Sequence, residues 1–75
     1  MRLYRNLSGN SPIIAYDYGE DYIQVKFREG RVYEYTDKSA GVPNVKRMKC
    51  LADRGQGLCT YINKFVKNKY LRKLC

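Results

Sequence analysis

Apolar and polar positions alternate over residues 22–28, "YIQVKFR": Ile23, Val25 and Phe27 fall on one side, Tyr22, Gln24, Lys26 and Arg28 on the other. A period of two marks a half-buried antiparallel strand. Upstream, "PIIAYDY" (12–18) is a β-like run whose Pro12 suits the first position of a strand. Downstream, "RVYEYT" (31–36) follows Glu29-Gly30, a tight-turn pair, and "GED" (19–21) joins the first two runs in the same way. The pattern predicts a three-stranded antiparallel meander. Residues 1–11, with Ser, Gly and Asn, read as an irregular lead-in.

After residue 36 the period changes. "DKSAGV" (37–42) reads as a loop, and Pro43 or Asn44 marks a helix start. At about 100° per residue, Val45, Met48, Leu51 and Ala52 share one face, and Gly55 suits the left-handed residue that ends the helix. A second helix begins near Gly57, with Leu58, Tyr61, Ile62, Phe65 and Val66 on its apolar arc. It is expected to stop near Asn68, a residue tolerant of the left-handed conformation. The fold class predicted is α+β: a three-stranded antiparallel β-meander covered on one face by two C-terminal helices. Residues 12–70 make the single domain, and 71–75 a basic tail.

Tyr33 and Tyr35 lie two apart and so point to the same side of their strand. Aligned with Ile23, Val25 and Phe27, and joined by Tyr16 and Ile14, they would be core. The other register points Val32 and Thr36 inward and leaves both rings outside. With 75 residues, eight tyrosines, two phenylalanines and no tryptophan, a small core needs its large rings. The buried register is therefore preferred, with Tyr16, Phe27, Tyr33, Tyr35, Tyr61 and Phe65 as the aromatic core.

Charge changes the picture more than size. Residues 1–45 hold six basic and six acidic side chains; residues 46–75 hold nine basic ones and a single acid, Asp53, so the whole excess of +8 lies there. Such segregation points to a polyanionic partner. Cys50, Cys59 and Cys75 are odd in number, without metal-ligand spacing, and His is absent. Neither a disulfide framework nor a metal site is expected. Cys50 falls on the polar side of the first helix, as an exposed thiol. "MRLYRNLSGN" has no signal-peptide run, and no apolar segment approaches the ~20 residues of a membrane span. The expectation is a cytoplasmic protein, without membrane attachment, monomeric or weakly dimeric.

Without His, the commonest general base is missing, and no Cys/His or Ser/His pair exists. Gly55-Gln56-Gly57 continues into no phosphate-loop or dinucleotide pattern. The inventory argues against an enzyme and implies no cofactor. Binding remains. Lys46, Lys49, Lys64, Lys67, Lys69, Arg72 and Lys73 could neutralise phosphates, with Tyr70 stacking on an unpaired base. A solvated helix end, with Tyr70 folded back as an apolar latch, would look the same. The partner expected is nucleic acid or, alternatively, an acidic protein surface gripped by a phage or bacterial accessory factor.

Together, "IIAYD" (13–17), "VKF" (25–27), Gly30, "YEY" (33–35), "VP" (42–43), Gly57, Tyr61-Ile62-Asn63 and "VKNKY" (66–70) resemble the KTSC domain. That small domain is named after the C-terminal region of some lysyl-tRNA synthetases and also occurs as stand-alone bacterial or phage proteins. The resemblance runs from about Ser11 to Tyr70, and the YxY spacing after a glycine turn is its most distinctive element. It departs at Cys59, where Asn is expected, and at Asn68, where Gly is frequent. It implies a nucleic-acid-binding role, with RNA favoured over DNA.

Overall fold

The computed structural model describes residues 1–7, 9 and 11–73; Cys75 lies outside them. The chain is α+β, but its antiparallel sheet has five strands rather than three, in the order β1-β2-β3-β4-β5. The meander is β2 (Ile13–Tyr18), β3 (Tyr22–Phe27) and β4 (Val32–Thr36). The chain ends add the two edges: β1 (Arg2–Leu3) on β2 and β5 (Arg72–Lys73) on β4. The lead-in and the tail expected from composition thus both contribute strands. Residue pattern alone could not reveal them, because a two-residue strand has no period to read.

Register settles the tyrosines. Ile23 faces Tyr35 and Val25 faces both Tyr33 and Tyr16, so all five share one side of the sheet. Tyr35 is 2% exposed and Tyr16 is buried, whereas Tyr33 and Phe27 are half-buried. One expected member of this face is replaced. The β2–β3 register shifts between Ile13 and Ala15, so Ile13 pairs with Phe27 and Ala15 with Lys26. The extra residue bends the strand. Ile13 becomes core, and Ile14, expected there, is exposed.

Helices cover this face. Thr36 and Ser39 cap each other reciprocally, each backbone N–H donating to the other's hydroxyl at 3.0 Å, and turn the expected loop into a short helix α1 (Asp37–Ala40). Helix α2 (Val42–Arg54) buries Val45, Met48, Leu51 and Ala52 as the 3.6-residue period requires. It ends on Gly55 at φ +79°, where any Cβ would also lie 2.6 Å from that of Arg5. That close approach lets the N-terminal segment cross the helix end, with the Leu7 N–H donating to the Gly55 carbonyl. Tyr4, from the supposed lead-in, is buried, and its hydroxyl accepts the Leu58 N–H that opens the next helix.

Helix α3 (Leu58–Tyr61) continues into a π-helical turn (Ile62–Val66). Leu58, Ile62 and Val66, spaced by four, are buried. A widened turn keeps residues four apart closer to one line than a regular helix does. Phe65, expected in the core, is rotated out and 54% exposed. The helical stretch ends at Val66, near Asn68 as expected, although Asn68 itself has no left-handed φ.

Candidate functional site

Three local rules converge beside β4. Alternation sends Arg31, Tyr33 and Tyr35 to the helix side. The β3–β4 turn folds Phe27 against Arg31, with the Phe27 N–H donating to the Arg31 carbonyl at 2.8 Å, and Gly30 takes the required φ of +97°. The π turn and the residues that follow it bring Ile62, Asn63, Lys67 and Asn68 to the same cleft. Pairing of β5 with β4 then returns Tyr70 to the sheet.

These side chains enclose a cleft of about 260 Å³ between the tyrosine strand and the end of the π turn. One wall is aromatic: Tyr33 meets Tyr70 edge-on with ring centres 4.7 Å apart, Phe27 meets Tyr33 at 5.7 Å, and Tyr35 meets Tyr70 at 6.4 Å. The other wall is Ile62 with the polar ends of Asn63, Lys67 and Asn68. Tyr70 is 38% exposed. It is a latch on Tyr33 and Tyr35 and a half-open ring at once.

Among the described residues two cations and no carboxylate line the cleft. Arg31 lies 5.9 Å from the Tyr33 ring centre. Its Nη2 donates to Glu29 and its Nη1 to the Tyr33 hydroxyl at 3.3 Å. Its Nε is buried and finds no partner among the described residues. The Glu29 carboxylate raises the Arg31 pKa above its ordinary value. Lys67 is exposed and, among the described residues, has no ion-pair partner. Burial, followed by the neighbouring Tyr33, pushes the Tyr35 hydroxyl up to about 12, so the cleft floor stays neutral. A larger depression of about 430 Å³ is lined by Asp21, Asp37, Thr36, Lys38 and Leu71. Its two carboxylates would repel a phosphate.

On the β2 side of β3, where Tyr16 faces Val25 as Tyr33 does from the β4 side, lies a second aromatic and basic cluster. Tyr16 and Tyr18 donate their hydroxyls to the two Asp53 oxygens at 2.8 and 2.6 Å. Arg2 pairs with Asp53 at 3.4 Å and lies 5.0 Å from the Tyr18 ring centre. The Tyr18 hydrogen bond, foremost, holds the Asp53 carboxyl below its usual range. Arg5 donates to the Asp53 carbonyl at 2.6 Å.

The cations expected to contact phosphates do not form one patch. Lys67 and Tyr70 line the cleft; pairing puts Lys73 on the Tyr33 face; Lys64 and Lys69 are exposed nearby in the chain. Lys49 instead donates to the Glu20 carbonyl and lies near Tyr18. Arg72 pairs with the buried Glu34 at 3.2 Å. Lys46 is exposed on α2. Of the aromatic residues expected to be structural, Phe27, Tyr33 and Tyr35 form the cleft wall as well. Arg31, Asn63 and Asn68 were missed. The signal for Arg31 was present, since 31, 33 and 35 continue one period of two.

Cys50 is exposed and free, while burial raises the half-buried Cys59 thiol. Among the described residues no group of His, Cys, Asp and Glu could hold a metal, and no helix is long and apolar enough to cross a membrane. Compared with protein-family models, curated proteins and solved structures, the chain matches none.

Proposed function

We propose that this chain is a non-enzymatic module for single-stranded nucleic acid. An unpaired base enters the cleft beside Tyr33 and Tyr70, and Arg31 and Lys67 hold the adjoining phosphates. The observation that carries the reading is the combination of open aromatic edges and two cations in a cleft whose described lining has no acid. Stacking on aromatic rings contributes about 1–3 kcal/mol per base and tolerates any base. Phosphate neutralisation adds affinity that weakens with salt. At about 260 Å³ the cleft falls just under the ~300–1,000 Å³ typical of drug-sized ligand pockets. That suits one nucleotide.

RNA is favoured over DNA on the KTSC resemblance, which joins the domain to a tRNA-handling enzyme. This warrant is associational. The acidic protein surface remains the second reading, supported by the exposed cations Lys46, Arg47 and Arg54 on α2, away from the cleft lining.

Fluorescence anisotropy with a labelled twelve-nucleotide oligouridylate, over 20–300 mM salt, tests the reading. Binding at low salt that falls steeply with salt is expected, and Arg31→Ala should weaken it at least about five-fold while shallowing the salt slope by about one. No binding at low salt would end the proposal. A partner captured from nuclease-treated lysate, without oligonucleotide binding, would favour the protein surface instead.

A further inference from the structure

The apolar stripe of the π turn leaves one large ring unaccounted for. Phe65 is 54% exposed, and its ring lies 4.7 Å from that of Tyr61 at a 39° tilt. Tyr61 is pinned in turn, its hydroxyl donating to Asn44 Oδ1 at 2.6 Å. The pair therefore forms a supported aromatic plate rather than a loose side chain. It sits on the α2 flank of the turn, whereas Asn63 and Lys67 line the cleft on the β4 flank. Lys64 is exposed on the same turn, and neither it nor Lys67 has an ion-pair partner among the described residues.

We infer that Phe65, backed by Tyr61, is a second stacking site for the strand whose first base occupies the cleft, and that the strand crosses the π turn over Lys64 and Lys67. The inference rests on the nucleic-acid reading of the cleft. A helix with its side chains is about 10–12 Å across, or roughly three stacked steps at ~3.4 Å each. An exposed apolar plate next to uncompensated cations matches a chain of bases and phosphates, in which flat faces and negative charges alternate. Widening of the helix contributes as well, because it rotates Phe65 outward while Leu58, Ile62 and Val66 remain buried. The module then has a minimum ligand length rather than a single-nucleotide site.

The test uses uridine monophosphate and oligouridylates of two, four and eight nucleotides, followed by NMR titration of the whole chain. The parent protein should gain affinity between one and about four nucleotides. Phe65→Ala should remove at least about five-fold of that gain, the equivalent of one lost stack, and leave uridine monophosphate binding unchanged. Phe65→Tyr should retain it. Because the substitution keeps every charge, the change reports stacking rather than phosphate contact. Equal length dependence in the parent and Phe65→Ala would overturn the second site while leaving the cleft intact. Failure of the parent to bind any of the four ligands would overturn both. Phe65-dependent self-association in sedimentation, without an effect on oligonucleotide length dependence, would assign the plate to a second copy of the chain.

Discussion

Both sides of β3 collect the same materials: tyrosines from neighbouring strands and arginines lying against them. On the β2 side Tyr16, Tyr18, Arg2 and Arg5 close on Asp53. On the β4 side, Tyr33, Tyr70, Arg31 and Lys67 surround a cleft with no carboxylate among its described lining residues. One acid makes the difference. Asp53 uses both oxygens on tyrosine hydroxyls and anchors the N-terminal strand, so that cluster is satisfied from within. In the cleft, Glu29 engages the Arg31 guanidinium but Nε stays unpartnered, and Lys67 extends free of ion pairs among the described residues. The same aromatic and basic chemistry serves as a clasp where a carboxylate completes it and as a receptive surface where Glu29 leaves Arg31 Nε and Lys67 unpaired among the described residues.

The sharpest way to separate the two roles is to remove rings. Tyr35→Ala should cost about 3–5 kcal/mol by urea unfolding, as a large truncation in a packed core does, because Tyr35 is nearly inaccessible beneath the cleft. A cost under about 1 kcal/mol would mean that the tyrosine strand is not the core here. A smaller effect follows from pH. The Tyr35 hydroxyl is raised from 10.0 to about 12. Its contribution is therefore complete below pH 10 and is lost as pH rises from 10 toward 12, up to about 3 kcal/mol at 1.36 kcal/mol per unit. Circular dichroism across that window should show Tyr35→Phe flatter than the parent.

Weaker again is the clasp. Asp53→Ala removes the acceptor of two hydroxyls and should cost about 1–2 kcal/mol, since the carboxylate is half-exposed and its bonds are partly replaced by water. Sign and pH agree: Asp53 titrates below its usual range, so its contribution is present above the unfolded pKa near 4 and is lost as pH falls through the lower folded value. Oligonucleotide affinity should stay within about two-fold. Loss of binding in Asp53→Ala, with the fold intact, would erase the contrast between the two sides.

The meander was legible because alternation over residues 22–28 admits one buried face and turn signals bound its neighbours, and helix α2 because its apolar positions keep the helical period. The cleft was only half legible. Tyr70 and Lys67 stand out by their charge context, while Arg31 shares the period of Tyr33 and Tyr35 but lies outside the basic C-terminal half. Phe65 departs from its expected face, since that arc assumes 3.6 residues per turn and the turn is wider. Ile14 misled for a similar reason, because a bulge shifts the period of two by one.

What the chain order alone determined is the kind of the three meander strands and of helix α2, and the inward face of β3 and α2, for these follow from side-chain spacing within a few consecutive residues. Tertiary structure decided which polar groups meet. Asp53 reaches Tyr16 and Tyr18 across more than thirty residues, and Tyr70 reaches Tyr33 only because β5 pairs with β4. Such meetings depend on edge pairing and helix packing, to which local periodicity is blind. Whether a tyrosine beside an arginine closes a clasp or opens a cleft is set there.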